Sequence, residues 1–301
     1  MYAELLVIAL ILDAILGEPK WLWSRFPHPV ALMGKAVTFF ENRTNHNKHR
    51  KQKGTIAMGL LAIGAMLIGY GLSFGGPIVE LIVAAILIAH KSLIDHVKAV
   101  ALGLNSSLTE GRQALAMIVS RDTSDMTESD IVRSAIESGS ENLSDGVIAP
   151  ALWFMIFGLP GLLLYKITNT ADSIVGYKTD RFIDYGWAAA RLDDVLNWVP
   201  ARITAILLML GGWVLLHFNA IQKDAATHKS PNAGWPEAAI AYDLGISLGG
   251  PRSYHGRQQD FPWLNPQGRK PLITGDISLA LKSMWRAWFL FVIGIALLSA
   301  G

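Results

Sequence analysis

Apolar positions along this chain gather into blocks, and polar positions fill the stretches between them. The first block is residues 2–16, which contains Asp13 and closes at Gly17-Glu18-Pro19. Residues 55–73 form a second, Gly-rich block without charge, and Gly75-Gly76-Pro77 predicts a turn after it. A third runs from 78 to about 89. Glu80, His90 and Lys91 limit its apolar length, so it is expected to tilt or to snorkel at its ends. The fourth, 147–164, is interrupted at Gly158-Leu159-Pro160. Pro160 removes a helix hydrogen bond, so this block predicts a broken or re-entrant segment. Residues 203–218 and 285–298 complete the set. A helix crosses about 30 Å of hydrocarbon with roughly 20 apolar residues. The blocks approach or reach that length and predict an all-α, polytopic integral membrane protein with roughly 4–6 apolar helices. The first block has no basic stretch before it and no small-x-small site after it, which favours a retained span over a cleaved signal peptide.

The polar stretches carry their own periodicity. Residues 91–145 read as amphipathic soluble helices. Thr127-x-x-Asp130 resembles a capping box with Asp in place of Glu, and Ile131, Val132, Ala135 and Ile136 recur behind it at helical spacing. Residues 165–202 form a second polar stretch, and 219–282 read as a long Gly/Pro-rich loop. One membrane-embedded catalytic domain over 1–301 is expected, with polar active-site segments at 91–146, 165–202 and 219–284. The loop 18–54 holds eight Lys and Arg, which places it in the cytoplasm. Blocks two and three then return 91–145 to the same side. A re-entrant fourth block would keep 165–202 there as well, and a full span would carry it outside.

Composition narrows the classes. Only 17% of residues are charged and 51% are hydrophobic, against about 25% charged in soluble domains. A net charge of +2 is too mild for nucleic-acid binding. With no Cys, the chain has no disulfides, thiolate metal sites or Cys nucleophiles.

Four polar clusters carry candidate chemistry. In Glu137-Ser-Gly-Ser-Glu141-Asn142-Leu-Ser-Asp145-Gly146 the acids are four apart, one acidic stripe on a continuous helix. Like charges at that spacing repel, and a cation such as Mg²⁺ would reconcile them; a solvated helix end broken at Gly139 gives the same pattern. In the second, Asn169 and Asp172 share a helical face, and Gly176-Tyr177-Lys178 follows. In the third, Arg191, Asp194 and Asn197 share a face beside Asp193 and lead to Arg202. That set suits a metal–phosphate site or an interfacial ion-pair network. The fourth joins Ser230-Pro231-Asn232-Ala233-Gly234-Trp235-Pro236-Glu237 to Leu248-Gly249-Gly250-Pro251-x-x-Tyr254, whose Gly-rich turn can aim backbone N–H groups at an anion. The chain has neither a P-loop nor a Rossmann glycine pattern.

Taken as strings, these clusters resemble the adenosylcobinamide-phosphate synthase family of cobalamin biosynthesis (the CbiB/CobD type). The resemblance covers nearly the whole chain. It runs through D-x-x-x-G-E-P from Asp13, H-P-V-x-x-x-G from His28, E-S-x-x-E-N-x-x-D-G from Glu137 and Ala149-Pro150. It continues through N-T-x-D-S-x-x-G-Y-K from Asn169, A-R-x-D-D-x-x-N-x-x-P-A-R from Ala190, S-P-N-A-G-W-P from Ser230 and L-G-G-P from Leu248. Glu18 departs from the pattern, where Asp is more usual.

The resemblance implies ATP-dependent amide ligation. Adenosylcobyric acid, a corrinoid acid, would be joined to (R)-1-amino-2-propanol phosphate or ethanolamine phosphate. Glu141, Asp145 and Asp194 are then expected to hold Mg²⁺, and Lys178, Arg191 and Arg202 to face phosphate oxygens. Asn142, Asn169 and Asn197 would orient carboxylate or phosphate groups, and Asp172 or Asp193 would accept the proton of the attacking ammonium. His28, Asn232 and Trp235 would line the corrinoid pocket, with Gly249 and Gly250 near bound substrate or ATP. The resemblance further implies a prokaryotic inner membrane, an active site facing the cytoplasm, lipid contact, and other membrane enzymes of nucleotide-loop assembly as partners. A transporter or a membrane sensor of similar layout are the rival readings. A transporter would bury its polar groups inside the apolar blocks, whereas here they lie mostly beside them.

Overall fold

The computed structural model describes residues 2–46, 48–254, 257–259 and 261–300, with the side chains of 20, 252–254, 257–259 and 300 outside that description. The described chain is helical apart from four very short strands. Its helices are α1 (Tyr2–Leu16), α2 (Lys20–Trp23), α3 (Pro29–Thr44), α4 (Arg50–Ser73), α5 (Pro77–Leu87), α6 (His90–Ser106) and α7 (Leu108–Ala116). They continue as α8 (Glu128–Leu143), α9 (Ala149–Val175), α10 (Trp187–Leu196), α11 (Trp198–Gly212), α12 (Phe218–Ala225), α13 (Gly234–Leu244) and α14 (Thr274–Ala300). Four helical stretches are long and apolar enough to cross a membrane: Arg50–Ser73, Pro77–Ser106, Glu128–Val175 and Thr274–Ser299. A fifth arises if α10 and α11 form one bent span. The all-α, multi-pass expectation holds.

The chain divides into two compact units. The first comprises residues 1–89, 149–197 and 295–301. Here α9 packs on α3, α4, α5 and α10, and α1 lies against α5. The expected break in the fourth apolar block is present: Gly158 adopts φ 62°, ψ −151° inside α9. Past the break the helix does not stop where hydropathy falls. It runs on through Lys166, Thr168 and Thr170, all buried, to Val175. The protein interior replaces lipid as their surroundings, so the polar motif after 164 lies on a helix and not on a connecting stretch.

The second unit comprises 90–148 and 198–294. Here α6 packs on α7 and α8, while α13 packs on α8, α11 and α12. The capping box at the start of α8 is complete: the Thr127 hydroxyl accepts from the Asp130 N–H, and the Asp130 carboxylate accepts from the Thr127 N–H at 3.1 Å. α8 continues through Gly139 to Leu143 and then opens into a single π-turn, Ser144–Ile148. Gly139 therefore does not end the acidic stripe. A Cβ there would sit 3.2 Å from Val97, so the small residue serves the α6–α8 contact. The expected loop 219–282 contains α12, α13 and two antiparallel ribbons, Leu248–Gly249 with Trp263–Leu264 and Arg252–Tyr254 with Arg257–Gln259. Gly and Pro mark the short turns between these elements rather than one long loop.

Candidate functional site

In the first unit the polar motifs converge on Asp193. Positions 165 and 169 fall on one face of α9, and 193 and 197 are four apart at the end of α10. The Asn169 amide donates to Asp193 Oδ1 at 3.3 Å, and the Asn197 amide donates to Asp193 Oδ2 at 3.0 Å. The Tyr165 hydroxyl donates to Asn197 Oδ1 at 2.9 Å. Trp153 Nε1 ties the same helix end to α9 through the Leu196 carbonyl at 3.1 Å. Asn169 and Asn197, two of the three asparagines expected to orient carboxylate or phosphate groups, donate here to a carboxylate of the protein itself.

The other expected residues of this unit have further partners, and Asp194 stands within electrostatic reach of Asp193. Asp194 pairs with Arg191, Nη1 to Oδ2 at 3.2 Å, the ion-pair arrangement that the sequence left open. Asp172 is half-buried and crowds Gly176, whose N–H donates to the Asp172 carbonyl at 2.8 Å. Lys178 is exposed on the turn that follows. His28 caps α3, its Nδ1 accepting from the Val30 N–H at 3.2 Å, and its ring meets Trp23 edge-on at 4.5 Å. Burial lowers the His28 pKa; Glu18 opposes this and the buried Lys166 adds to it.

The second unit gathers the remaining motifs. Glu137, on α8, is buried; its Oε1 accepts from the Gly249 N–H at 2.7 Å and its Oε2 faces Arg121 at 3.5 Å. Gly249 and Gly250 hold φ 74° and 75°, a left-handed pair that favours glycine. The Gly250 N–H donates to Pro262 O at 3.1 Å, so the anion gripped by this Gly-rich turn is Glu137 itself. Glu141 follows Glu137 by one turn, within electrostatic reach of Glu237, His228, Arg121 and Glu137. Asp145 lies on the π-turn. Asn142 is exposed and donates to Ser138 O at 2.8 Å.

Arg202 lies between two indoles, 4.7 Å from the Trp198 ring and 5.0 Å from the Trp235 ring. Its Nη1 donates to Asn232 Oδ1 at 2.7 Å and its Nη2 to Pro231 O at 3.1 Å. Beside this loop, Thr227, His228, Lys229, Gly249, Phe261, Pro262 and Leu264 line a pocket.

Among the described residues no group of three or more His, Asp or Glu side chains is gathered to hold a metal. Of the three expected ligands, Glu141 and Asp145 belong to the second unit and Asp194 to the first. Sequence reasoning placed Glu137 in the acidic stripe and Glu237 at the end of the fourth cluster, and gave no role to Tyr165, Arg121 or His228. His228 lies just before the 230–237 cluster, so reading back from that cluster would have found it. Arg121 carried no such signal.

The family model described as CobD/Cbib protein matches residues 6–284. This chain belongs to the CobD/Cbib family. Within the CobD/Cbib family, the cobalamin biosynthesis protein CobD of Rhizobium meliloti strain 1021 is 42% identical over 302 residues, covering 94% of this chain and 92% of its own length. The protein of that name from Halalkalibacterium halodurans is 41% identical over 317 residues, covering 97% and 95%. The one from Rhodobacter capsulatus is 38% identical over 306 residues, covering 98% and 97%. The resemblance read from the motifs is thereby borne out. No solved structure matches this CobD/Cbib chain.

Proposed function

We propose that this CobD-type protein of cobalamin biosynthesis is an ATP-dependent ligase that joins the carboxylate of adenosylcobyric acid to the amine of an amino-alcohol phosphate. The product is adenosylcobinamide phosphate. The observation that carries the reading is the buried Asp193 carboxylate, held by Asn169 and Asn197 inside two of the long motifs that carry the family resemblance.

A carboxylate is a poor acyl donor. ATP transfers its terminal phosphoryl group to the corrinoid carboxylate, releasing ADP; the amine then attacks the acyl carbon, an amide bond forms and phosphate leaves. The ammonium must first lose a proton, and Asp193 or Asp172 accepts it. Phosphoryl transfer depends on positioning and on cations around the phosphates. Lys178, Arg191 and Arg202 supply cations, with Arg202 fixed by Asn232. Mg²⁺ would supply charge neutralisation on the phosphates. One or two protein carboxylates would suffice to hold it together with substrate phosphates and water, which is compatible with the lack of a three-acid cage among the described residues. Glu141, Asp145 and Asp194 are the candidates. Asn142, His28 and Trp235 fall to substrate contacts in this reading, whereas the Gly249 and Gly250 N–H groups are engaged by Glu137 and Pro262 O.

The reaction is placed at the cytoplasmic face of a prokaryotic inner membrane, where ATP is available. Single Cys residues introduced near 146 and near 186 should react with an impermeant thiol reagent from the same side of sealed vesicles. The decisive assay is ATP consumption by detergent-purified protein. Consumption that requires both the corrinoid acid and the amino-alcohol phosphate supports the ligase. Corrinoid uptake into vesicles without ATP consumption would replace it by a transporter, and binding without turnover by a sensor.

A further inference from the structure

We infer that Tyr165 is a positioning residue for Asp193, acting through the amide of Asn197. The argument concerns the direction of each hydrogen bond. An ionised carboxylate only accepts, so Asn197 must turn its Nδ2 toward Asp193 Oδ2, at 3.0 Å. That leaves Asn197 Oδ1 facing Tyr165, and an amide oxygen also only accepts. The hydroxyl at 2.9 Å must therefore donate. The direction of both hydrogen bonds in the chain Tyr165–Asn197–Asp193 is thereby fixed. The carboxylate forbids a flipped Asn197, which would set its oxygen against Asp193 Oδ2, and the hydroxyl that donates to Asn197 Oδ1 tethers the amide in the orientation that faces Asp193.

Burial separates this role from direct contact. Tyr165 is 0% exposed and Asn197 1%, whereas Asp193 is 9% exposed. Of the three, Asp193 alone retains surface for a reacting group. Tyr165 sits on α9 past the Gly158 break, and the Trp153 indole, before the break, donates to the Leu196 carbonyl at the end of α10 at 3.1 Å. The ring packs beside Ala149 and Leu196. Substitution by Phe keeps that packing and removes the hydroxyl that donates to Asn197.

The inference rests on the proposed ligase for its kinetic consequence, and a spectroscopic arm tests it separately. For Tyr165→Phe, kcat is expected to fall about tenfold, with KM for both substrates within about twofold of wild type and the melting temperature little changed. In the Asn197→Ala background the same substitution is expected to cost nothing further, because the amide through which it acts is gone. A Tyr165→Phe enzyme with wild-type turnover and a lowered melting temperature would make Tyr165 a core side chain and overturn the inference. An equal additional loss in the Asn197→Ala background would also overturn it. Independently of activity, infrared difference spectra of ¹³C-aspartate-labelled protein assign the Asp193 carboxylate band by its loss in Asp193→Asn. That band is expected to shift in Tyr165→Phe, and an unmoved band overturns the inference. If wild type performs no ligation while the band shifts, the proposed reaction fails and the positioning role stands.

Discussion

Arg181 grips Glu41 with two hydrogen bonds across 140 residues of sequence, Nε to Oε1 at 3.1 Å and Nη2 to Oε2 at 3.0 Å. The Asn45 amide adds a third at 2.9 Å. This fixes the segment carrying Lys178 to the end of α3. Burial pushes the Glu41 carboxyl upward, and the Arg181 guanidinium with the Asn45 amide outweighs it, so Glu41 titrates below its ordinary value. A carboxyl depressed in the folded state contributes stability above its unfolded pKa and loses it as pH falls through the folded one. The wild-type melting temperature is therefore expected to drop as pH falls from about 5 toward 3. Glu41→Gln should melt lower at neutral pH and show a flatter acid limb. Parallel acid limbs for the two proteins would remove Glu41 from the linkage.

The broken helix α9 makes a second prediction. Gly158 has φ 62°, and a Cβ there would approach the Tyr2 ring at 2.7 Å. Gly158→Ala is expected to destabilise by about 1–3 kcal/mol through backbone conformation alone. Pairing it with Tyr2→Ala removes the steric part and should recover only a fraction of the loss. Full recovery in detergent melting curves would mean that the ring contact, and not the backbone, demands glycine.

Glycines in α4 allow an internal comparison. A Cβ at Gly54 would run into the Tyr185 carbonyl, a backbone atom that cannot swing aside, whereas Gly59 has nothing within 4 Å. Gly54→Ala is expected to cost about 1–3 kcal/mol or more. Gly59→Ala should be neutral or stabilise by up to about 1 kcal/mol. Equal melting temperatures for the two variants would contradict the close approach of α4 to residue 185.

Local signals were legible in the sequence and distant ones were not. The Thr127–Asp130 capping box and the Gly158 break each depend on a few adjacent residues, and both were read correctly. Hydropathy misplaced the polar end of α9, because it scores Lys166 and Thr168 as solvent-facing when neighbouring helices bury them. The Asn169–Asp193 bond joins residues 24 apart and the Gly249–Glu137 bond residues 112 apart, so no periodicity could announce either. Motif membership pointed to Asn169, Asp193 and Asn197 together, but the geometry that turns the asparagines toward Asp193 came only with the fold. The acidic stripe was half legible: Glu137 and Glu141 share the helix as spaced, and the π-turn then re-aims Asp145.

The adjacent acids of α10 should separate in both stability and turnover. Asp193 accepts an amide N–H on each oxygen, so Asp193→Asn turns one acceptor into a donor facing a donor. The cost is expected to be about 1–3 kcal/mol, together with a loss of turnover of about 10²–10⁴-fold as the proton acceptor disappears. Asp194 pairs with Arg191 at 3.2 Å, with side chains 29% and 66% exposed, and such a pair contributes at most about 1 kcal/mol. Asp194→Asn is therefore expected to melt almost as wild type does. Its turnover should nonetheless fall by orders of magnitude at limiting Mg²⁺ and recover in part at high Mg²⁺, since mass action offsets weakened metal affinity. Arg191→Gln is the control, because it breaks the same ion pair and keeps the carboxylate. If both variants turn over normally at limiting Mg²⁺, Asp194 leaves the metal set and the ion pair is its whole role. If Arg191→Gln alone loses activity, the guanidinium contacts phosphate and Asp194 serves to hold it in place.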